Sequence, residues 1–222
     1  MTSINSFLAM PAEHVYVPSM TPLMTAEDLL KPGVPERADL VRGVLVVHEP
    51  PGFRHGEITV RLTIALGTYV DTRQLGRVVA GDAGFKLQSD PDTVRGADIA
   101  FVSWERMPQK SPVGFPPLGP DLVVEVLSPG DRPGETLAKI ADWLSAGTRL
   151  VWVIDPERRL ARIYRQDGSE SILGEADALE GEDILPGFTC KLGAVLETIV
   201  PAASDADRPI ANGSGGAAGI PP

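Results

Sequence analysis

Asp98 and Glu125 each interrupt an apolar run, GADIAFV over residues 96–102 and DLVVEVL over 121–127. Both runs read as buried β-strands, and a carboxylate inside such a strand leaves water at high cost unless something pairs with it. Side chains alternate along a strand, so Asp98 and Ala100 are expected on one face and Ala97, Ile99 and Phe101 on the other. In the second run Val123, Glu125 and Leu127 share a face, opposite Leu122, Val124 and Val126. If the two strands are neighbours, Asp98 and Glu125 meet. Two carboxylates at contact distance repel, and one is held protonated unless a cation intervenes. Mg²⁺ takes oxygen ligands and is commonly held by one or two carboxylates with water and substrate phosphate. The pair therefore points to a divalent ion and to phosphate chemistry. The plainer alternative is a salt bridge from Glu125 to Arg95, Arg149 or Lys139.

The elements that must position these residues read as an α+β fold. ADLVRGVLVVHEP is a hairpin of two short strands around Arg42-Gly43. A helix follows PPGFRH, with Ile58, Leu62, Ala65, Leu66 and Tyr69 on its inner face and Gly76 closing the segment. Thr25 is expected to cap a short helix over AEDLL. GRVVAGDAGFKLQ supplies one or two strands, and SWERMPQKSPVGFPPLGP is a long loop before the Glu125 strand. DRPGETLAKIADWLSAG is a helix with Pro133 in its first turn and an apolar stripe of Leu137, Ile140, Ala141 and Leu144. TRLVWVID is the next buried strand, so strand, helix and strand form a right-handed crossover with parallel strands. A hairpin about Asp167-Gly168 and a last strand with a short helix complete a mixed β-sheet core flanked by helices.

With 222 residues the chain is one domain. Residues 1–20 read as an N-terminal arm, 21–200 as the domain, and 201–222, rich in Gly, Ala and Pro, as a disordered tail. Nothing resembles a membrane span or a secretory signal. The single cysteine, Cys190, can form no internal disulfide, which suits a cytoplasmic protein. A net charge of −10 argues against a general polyanion binder and leaves room for a local site whose acids are neutralised by metal. No phosphate-cradling glycine loop, GxSxG elbow or HExxH motif is present.

A strand with Asp, a strand with Glu and a following helix resemble the PD-(D/E)XK nuclease superfamily, and more closely its Uma2 branch of restriction-endonuclease-like proteins. The similar segments, in order, are ADLVRGVLVVHEPPGFRHGEI, GRVVAGDAGFKLQ, VRGADIAFVS, GPDLVVEVLSPGDR and KIADWLSAGTRLVWVIDP. The resemblance implies a restriction-endonuclease-like fold and a Mg²⁺- or Mn²⁺-dependent endonuclease acting on nucleic acid, most naturally DNA. Asp98 and Glu125 are its metal-binding carboxylates, joined by the backbone carbonyl of Val126. The parent motif places Lys two residues after Glu, where this chain has Leu127. The Uma2 pattern moves it to the following helix, where Lys139 matches. By periodicity alone Lys139 is equally a surface lysine lying along an apolar edge. Asp39 occupies the position of an early acidic residue in the family, either a further ligand or water-orienting group or a plain strand-end carboxylate. His55 matches a histidine at the start of the family's second helix, for phosphate contact or base work; the plainer reading is a polar residue near a helix cap. His48 and His14 have no motif support, and Lys86 is either a phosphate-contacting residue in a strand next to the site or, more plainly, an exposed strand lysine. By analogy, a homodimer would suit duplex cleavage by two symmetric sites. The alternative from another class is a catalytically weak nuclease-fold module that binds nucleic acid or a protein partner without cutting.

Overall fold

A computed structural model describes residues 22–109 and 113–197; the expected arm over 1–20, the tail over 201–222 and His14 lie outside them. The architecture is α+β. Strands β1 (Ala38–Val41), β2 (Val44–Val47), β3 (Gly76–Gln88), β4 (Thr93–Ser103), β5 (Leu122–Val126), β6 (Leu150–Asp155), β7 (Leu160–Arg165) and β8 (Glu170–Gly174) form one sheet. Its order is β2-β1-β4-β5-β6-β7-β8, with β3 also paired to β4. All pairings in it are antiparallel except β5 with β6, which helix α2 (Pro133–Ser145) connects, giving the expected parallel crossover. β9 (Ala178–Glu180) and β10 (Thr189–Lys191) make a small second sheet ahead of α3 (Leu192–Leu196). β9 is too short to announce itself by alternation.

Both faces of the large sheet are covered. Helix α1 (Phe53–Arg73) buries Ile58, Leu62, Leu66 and Val70 against Ile99, Phe101, Leu122, Val124 and Val126. Helix α2 buries Ile140 and Trp143 against Ala100, Val102, Val123, Val151 and Val153. The alternation expected for β5 is therefore met, with Val123 and Glu125 on the α2 face.

Three details of the helices need correction. The α2 stripe is rolled: Leu137 is 52 % exposed and Ala141 faces solvent, while Trp143 is fully buried. The indole offers more apolar area than Leu137, and its N–H finds a buried acceptor, so the helix turns that side inward. Residues 28–30 form only a single 3-10 turn, in which Thr25 and Asp28 bond each other instead of capping a longer helix. Helix α1 ends at Arg73, with Gln74 in the left-handed conformation as its cap, and Gly76 opens β3.

Strand β4 forks the sheet. β3 lines one side of it throughout. On the other side β1 pairs at Leu40↔Val94, and β5 pairs from Ile99↔Val124 to Phe101↔Leu122. Between these ladders β4 borders a gap. Directly across from the gap β3 is bulged: Ala80 pairs with Ile99 and Ala83 with Ala97, so Gly81 and Asp82 together oppose Asp98 alone. Both have positive φ, 83° and 58°, as the extra residue of a bulge requires. Here strict alternation fails: Ala97 packs in the same cluster as Ala100 instead of sharing the face of Ile99. A bulge re-aims the side chain opposite it, which in this chain is Asp98.

The packing predicts a sharp contrast along α1. Leu62→Ala, at a residue with no exposed area, should lower stability by about 2–5 kcal/mol. Val60→Ala, 57 % exposed on the same helix, should stay within about 0.5 kcal/mol of the parent. Urea midpoints of the two variants check this.

Candidate active site

The β1/β2 hairpin turns on Arg42 and Gly43, both with positive φ, 50° and 78°, as a two-residue hairpin turn demands. Its register sets Asp39 opposite Val46. Asp39 reaches the gap, where its Oδ1 accepts the Gly96 N–H at 2.9 Å and its Oδ2 accepts Arg95 Nη1 at 3.0 Å. His48 Nε2 lies 3.1 Å from the same Oδ2. Burial raises the pKa of Asp39, but His48, the Lys139 charge, Gly96 and Arg95 outweigh it and hold the carboxyl at about 2.

Asp98 closes the gap from the β5 side. The N–H of Leu127 donates to Ile154 on β6, so that of Val126 faces β4, where the backbone ladder has already ended. Asp98 Oδ2 accepts it at 2.7 Å, so no buried donor is left unpaired. His55, in the first turn of α1, sits with Nε2 at 3.1 Å from the same oxygen. Burial pushes the Asp98 pKa up; the His55 hydrogen bond, the Lys139 and His55 charges and the Val126 N–H bring it below its ordinary value. Its Oδ1 has no hydrogen-bond partner among the described residues.

Extending the β4/β5 register by one step sets Glu125 opposite Asp98. The partner of Glu125 is Lys139, not Arg95 or Arg149: Nζ lies 2.7 Å from Oε2, and Trp143 Nε1 donates to Oε1 at 2.9 Å. The salt-bridge partner is thus the same helix lysine that the sequence offered as a phosphate-facing cation. Periodicity left Lys139 at the edge of the helix because it centred the stripe on Leu137. With Trp143 turned inward, Lys139 one turn before it faces the sheet. Burial raises the Glu125 pKa to about 7; the Lys139 charge opposes this and the Asp98 charge adds to it. Burial lowers the Lys139 pKa, but Glu125, Asp39 and Asp98 together raise it well above the ordinary lysine value.

Arg95 binds the parts together. Its guanidinium spans Asp39 on β1 and Asp142 on α2, with Nη2 2.6 Å from Asp142 Oδ2. Asp142 follows Lys139 by three residues, so this bridge fixes the turn of helix that presents the lysine. Asp39, Asp98, Glu125, Lys139, His48 and His55 all line one cleft of about 700 Å³. The structure therefore brings together every side chain the sequence singled out as a site residue, and the backbone of Val126 lies beside them. Sequence reasoning missed His48, Arg95, Asp142 and Trp143. Hairpin register would have found His48, which is the diagonal neighbour of Asp39. Lys86 stands apart, paired with Asp92 at 2.8 Å. Cys190 is half-buried, and burial raises its thiol pKa, as for an inert cysteine.

Two carboxylates of opposed character fit a hard divalent ion. Asp98 keeps an oxygen free, and the Glu125 charge is only partly compensated by Lys139 and Trp143. Among the described residues no group of three or more His, Cys, Asp or Glu is arranged as a metal site. The protein's own ligands would then be Asp98, Glu125 and the Val126 carbonyl, with water and substrate completing the shell.

A forked mixed sheet, a parallel crossover after the Glu strand and carboxylates at the fork define a restriction-endonuclease-like fold. The chain belongs to the Uma2 family, described as putative restriction endonucleases, whose pattern matches residues 27–193. Its fold is similar to the crystal structure of a putative nuclease belonging to DUF820 from Anabaena variabilis. The TM-score is 0.70 at 19% identity, over 78% of this chain and 97% of that one. No curated protein matches the chain. No helix among the described residues is long and apolar enough to cross a membrane.

The pKa directions predict how stability follows pH without metal. Glu125, His48 and His55 are all raised, so each favours the folded state when protonated. Their contribution is complete below the unfolded values and is lost as pH rises, for Glu125 between about 4.5 and 7. Asp39 and Asp98 are lowered and act in the opposite sense, only at more acid pH. The melting temperature of metal-free protein should fall from pH 5 to pH 8, and fall less in Glu125→Gln. A melting temperature that rises over this range contradicts the burial of Glu125.

Proposed function

We propose that the chain is a metal-dependent phosphodiesterase, an endonuclease acting on DNA, with Asp98, Glu125 and the Val126 carbonyl as its Mg²⁺ or Mn²⁺ ligands. The observation that carries this reading is the pair of buried carboxylates at the fork of β4, with the Lys139 ammonium 2.7 Å from one of them in an open cleft. A divalent ion bound there supplies positive charge to the phosphate and lowers the pKa of a bound water. Lys139 keeps its proton at all working pH values and faces the cleft, where it stabilises charge developing on the phosphoryl oxygens. His55, held by Asp98 at the start of α1, orients water or phosphate at that end. Asp39 has its oxygens occupied by Arg95, Gly96 and His48, so its role is to position neighbours.

One observation favours the non-cutting alternative. The rim of the cleft carries Glu36, Glu49, Asp82, Asp131 and Glu135 against Arg37 and Arg132. Such a mouth repels an extended polyanion and takes a phosphodiester only with cations present.

Nicking of supercoiled DNA with Mg²⁺ or Mn²⁺ tests the reading. The parent protein should cut only with metal, Asp98→Asn and Glu125→Gln should not cut, and Lys139→Met should lose about 10²–10³-fold in rate. Metal-dependent cutting that survives in Glu125→Gln would place the chemistry elsewhere. A parent protein that binds metal and cuts no nucleic acid would favour the binding module.

A further inference from the structure

His48 is the group in this cleft that neither its motifs nor its family resemblance accounts for. It follows β2 directly, and its backbone N–H donates to Arg37 at 3.0 Å, so the residue continues the hairpin pairing and is not free to swing away. Its Nε2 lies 3.1 Å from Asp39 Oδ2. A carboxylate accepts, so Nε2 carries the proton and Nδ1 is the other nitrogen. Nδ1 has no partner among the described residues, and the side chain is 43% exposed. Asp39 is itself 4% exposed and pinned by Arg95 and by the Gly96 N–H. The arrangement is a buried carboxylate aiming an imidazole, with the second ring nitrogen left over for a ligand.

The cleft has two ends. One adjoins a smaller cavity that His55, Asp98, Arg37 and Asp82 also line. The other adjoins a cavity that His48, Glu125 and Lys139 also line, together with Arg95. Displacement at phosphorus proceeds in line, so attacking and leaving oxygens occupy opposite sides. With His55 and Asp98 at one end, the group at the other end faces the departing oxygen. An alkoxide is a poor leaving group without a proton, and the two cations at that end differ as acids. Lys139 holds its proton too tightly to give it up near neutrality, being surrounded by three carboxylates. His48 is raised above the ordinary histidine value by its hydrogen bond to Asp39. Burial opposes that shift, the Asp39 charge aids it, and the charges of Lys139 and Arg95 oppose it. The other charged groups around this end are Glu125 on β5, Glu135 on α2, Asp131 and Arg132 ahead of α2, and Glu49 beside His48. An imidazolium, unlike that ammonium, is an acid able to release its proton to a departing oxygen.

Resting on the phosphodiesterase reading above, we propose that His48 is the general acid that protonates the leaving oxygen, with Asp39 as its positioning residue. In that step the water oxygen bonds to phosphorus and the water's proton passes to solvent. The bond from phosphorus to the leaving oxygen breaks, and its electron pair stays on that oxygen. The proton on His48 Nδ1 is transferred there, leaving an alcohol and a neutral imidazole still bonded to Asp39.

The test compares two substrates with the parent protein and His48→Gln in Mn²⁺. One is an oligodeoxynucleotide, whose alkoxide needs a proton. The other is bis(p-nitrophenyl) phosphate, whose nitrophenolate departs without one. His48→Gln should lose about 10²–10⁴-fold in kcat on the oligonucleotide, keep the nitrophenyl rate within about threefold, and lose the alkaline limb of the parent's pH profile. Because the acid must be protonated to act, that limb is a fall in kcat as pH rises. In the metal-free protein, the NMR titration of His48 should lie above the ordinary histidine pKa and drop in Asp39→Asn. Equal losses on both substrates, or none on either, overturn the assignment and leave the nuclease reading standing. So does a His48 titration that ignores Asp39→Asn. A parent protein that turns over neither substrate overturns both readings together.

Discussion

Everything at the cleft depends on one break in backbone pairing. Along one side of β4 the ladder to β1 has ended and the ladder to β5 has not begun, so amide groups at the gap must find partners elsewhere. Two carboxylates supply them: Asp39 takes the Gly96 N–H, and Asp98 takes the Val126 N–H. Unpaired buried amides are costly, so these acids are structural parts of the sheet before they are anything else. The bulge of β3 at Gly81 and Asp82 stands across the same gap and turns Asp98 into it. The opening in the sheet is thereby held by the same side chains that line the cleft.

Glu125 is in a different position. It lies on β5 beyond the last β4 pair, on the face covered by α2, and its burial is offset only by the Lys139 ammonium and the Trp143 indole. Its carboxyl is consequently pushed up to about 7, while Asp98, better supplied with donors, stays ionised. Two facing carboxylates of unequal acidity are what the proposed cation would meet, and its entry would displace the Glu125 proton. The Arg95 bridge from Asp39 to Asp142 carries the same logic into α2, tying the helix that bears Lys139 to the strand that bears Asp39.

Much of this is legible in the residues. A carboxylate amid five apolar strand residues announces a partner, and alternation assigns Val123 and Glu125 to the α2 face. The length of the linking helix announces the parallel crossover, and Arg42-Gly43 announces the hairpin. What alternation could not show is the bulge, because Gly81 and Asp82 shift the phase of the strand only when paired against β4; hence Ala97 was placed on the wrong face. Helical periodicity misjudged α2 for a related reason. It weighs Leu137 and Ala141 as apolar, whereas the roll is decided by Trp143 reaching the buried Glu125 oxygen, a contact across 18 residues of sequence. Arg95 and Asp142, 47 residues apart, gave no local signal at all. The residue types that carry chemistry were therefore readable, while the charges that orient them belong to the tertiary structure.

The central claim is that Asp98 and Glu125 form a site for a divalent cation. The most direct measurement is the melting temperature of the full chain with and without Mn²⁺ or Mg²⁺, at pH 8 and at pH 5. At a hundredfold excess over Kd, binding to the native state alone should raise it by roughly 5–10 °C at pH 8. The rise should shrink at pH 5, where the ion must displace the Glu125 proton, and vanish in Asp98→Asn and Glu125→Gln. No shift at millimolar metal, or a shift that persists in both variants, would contradict it.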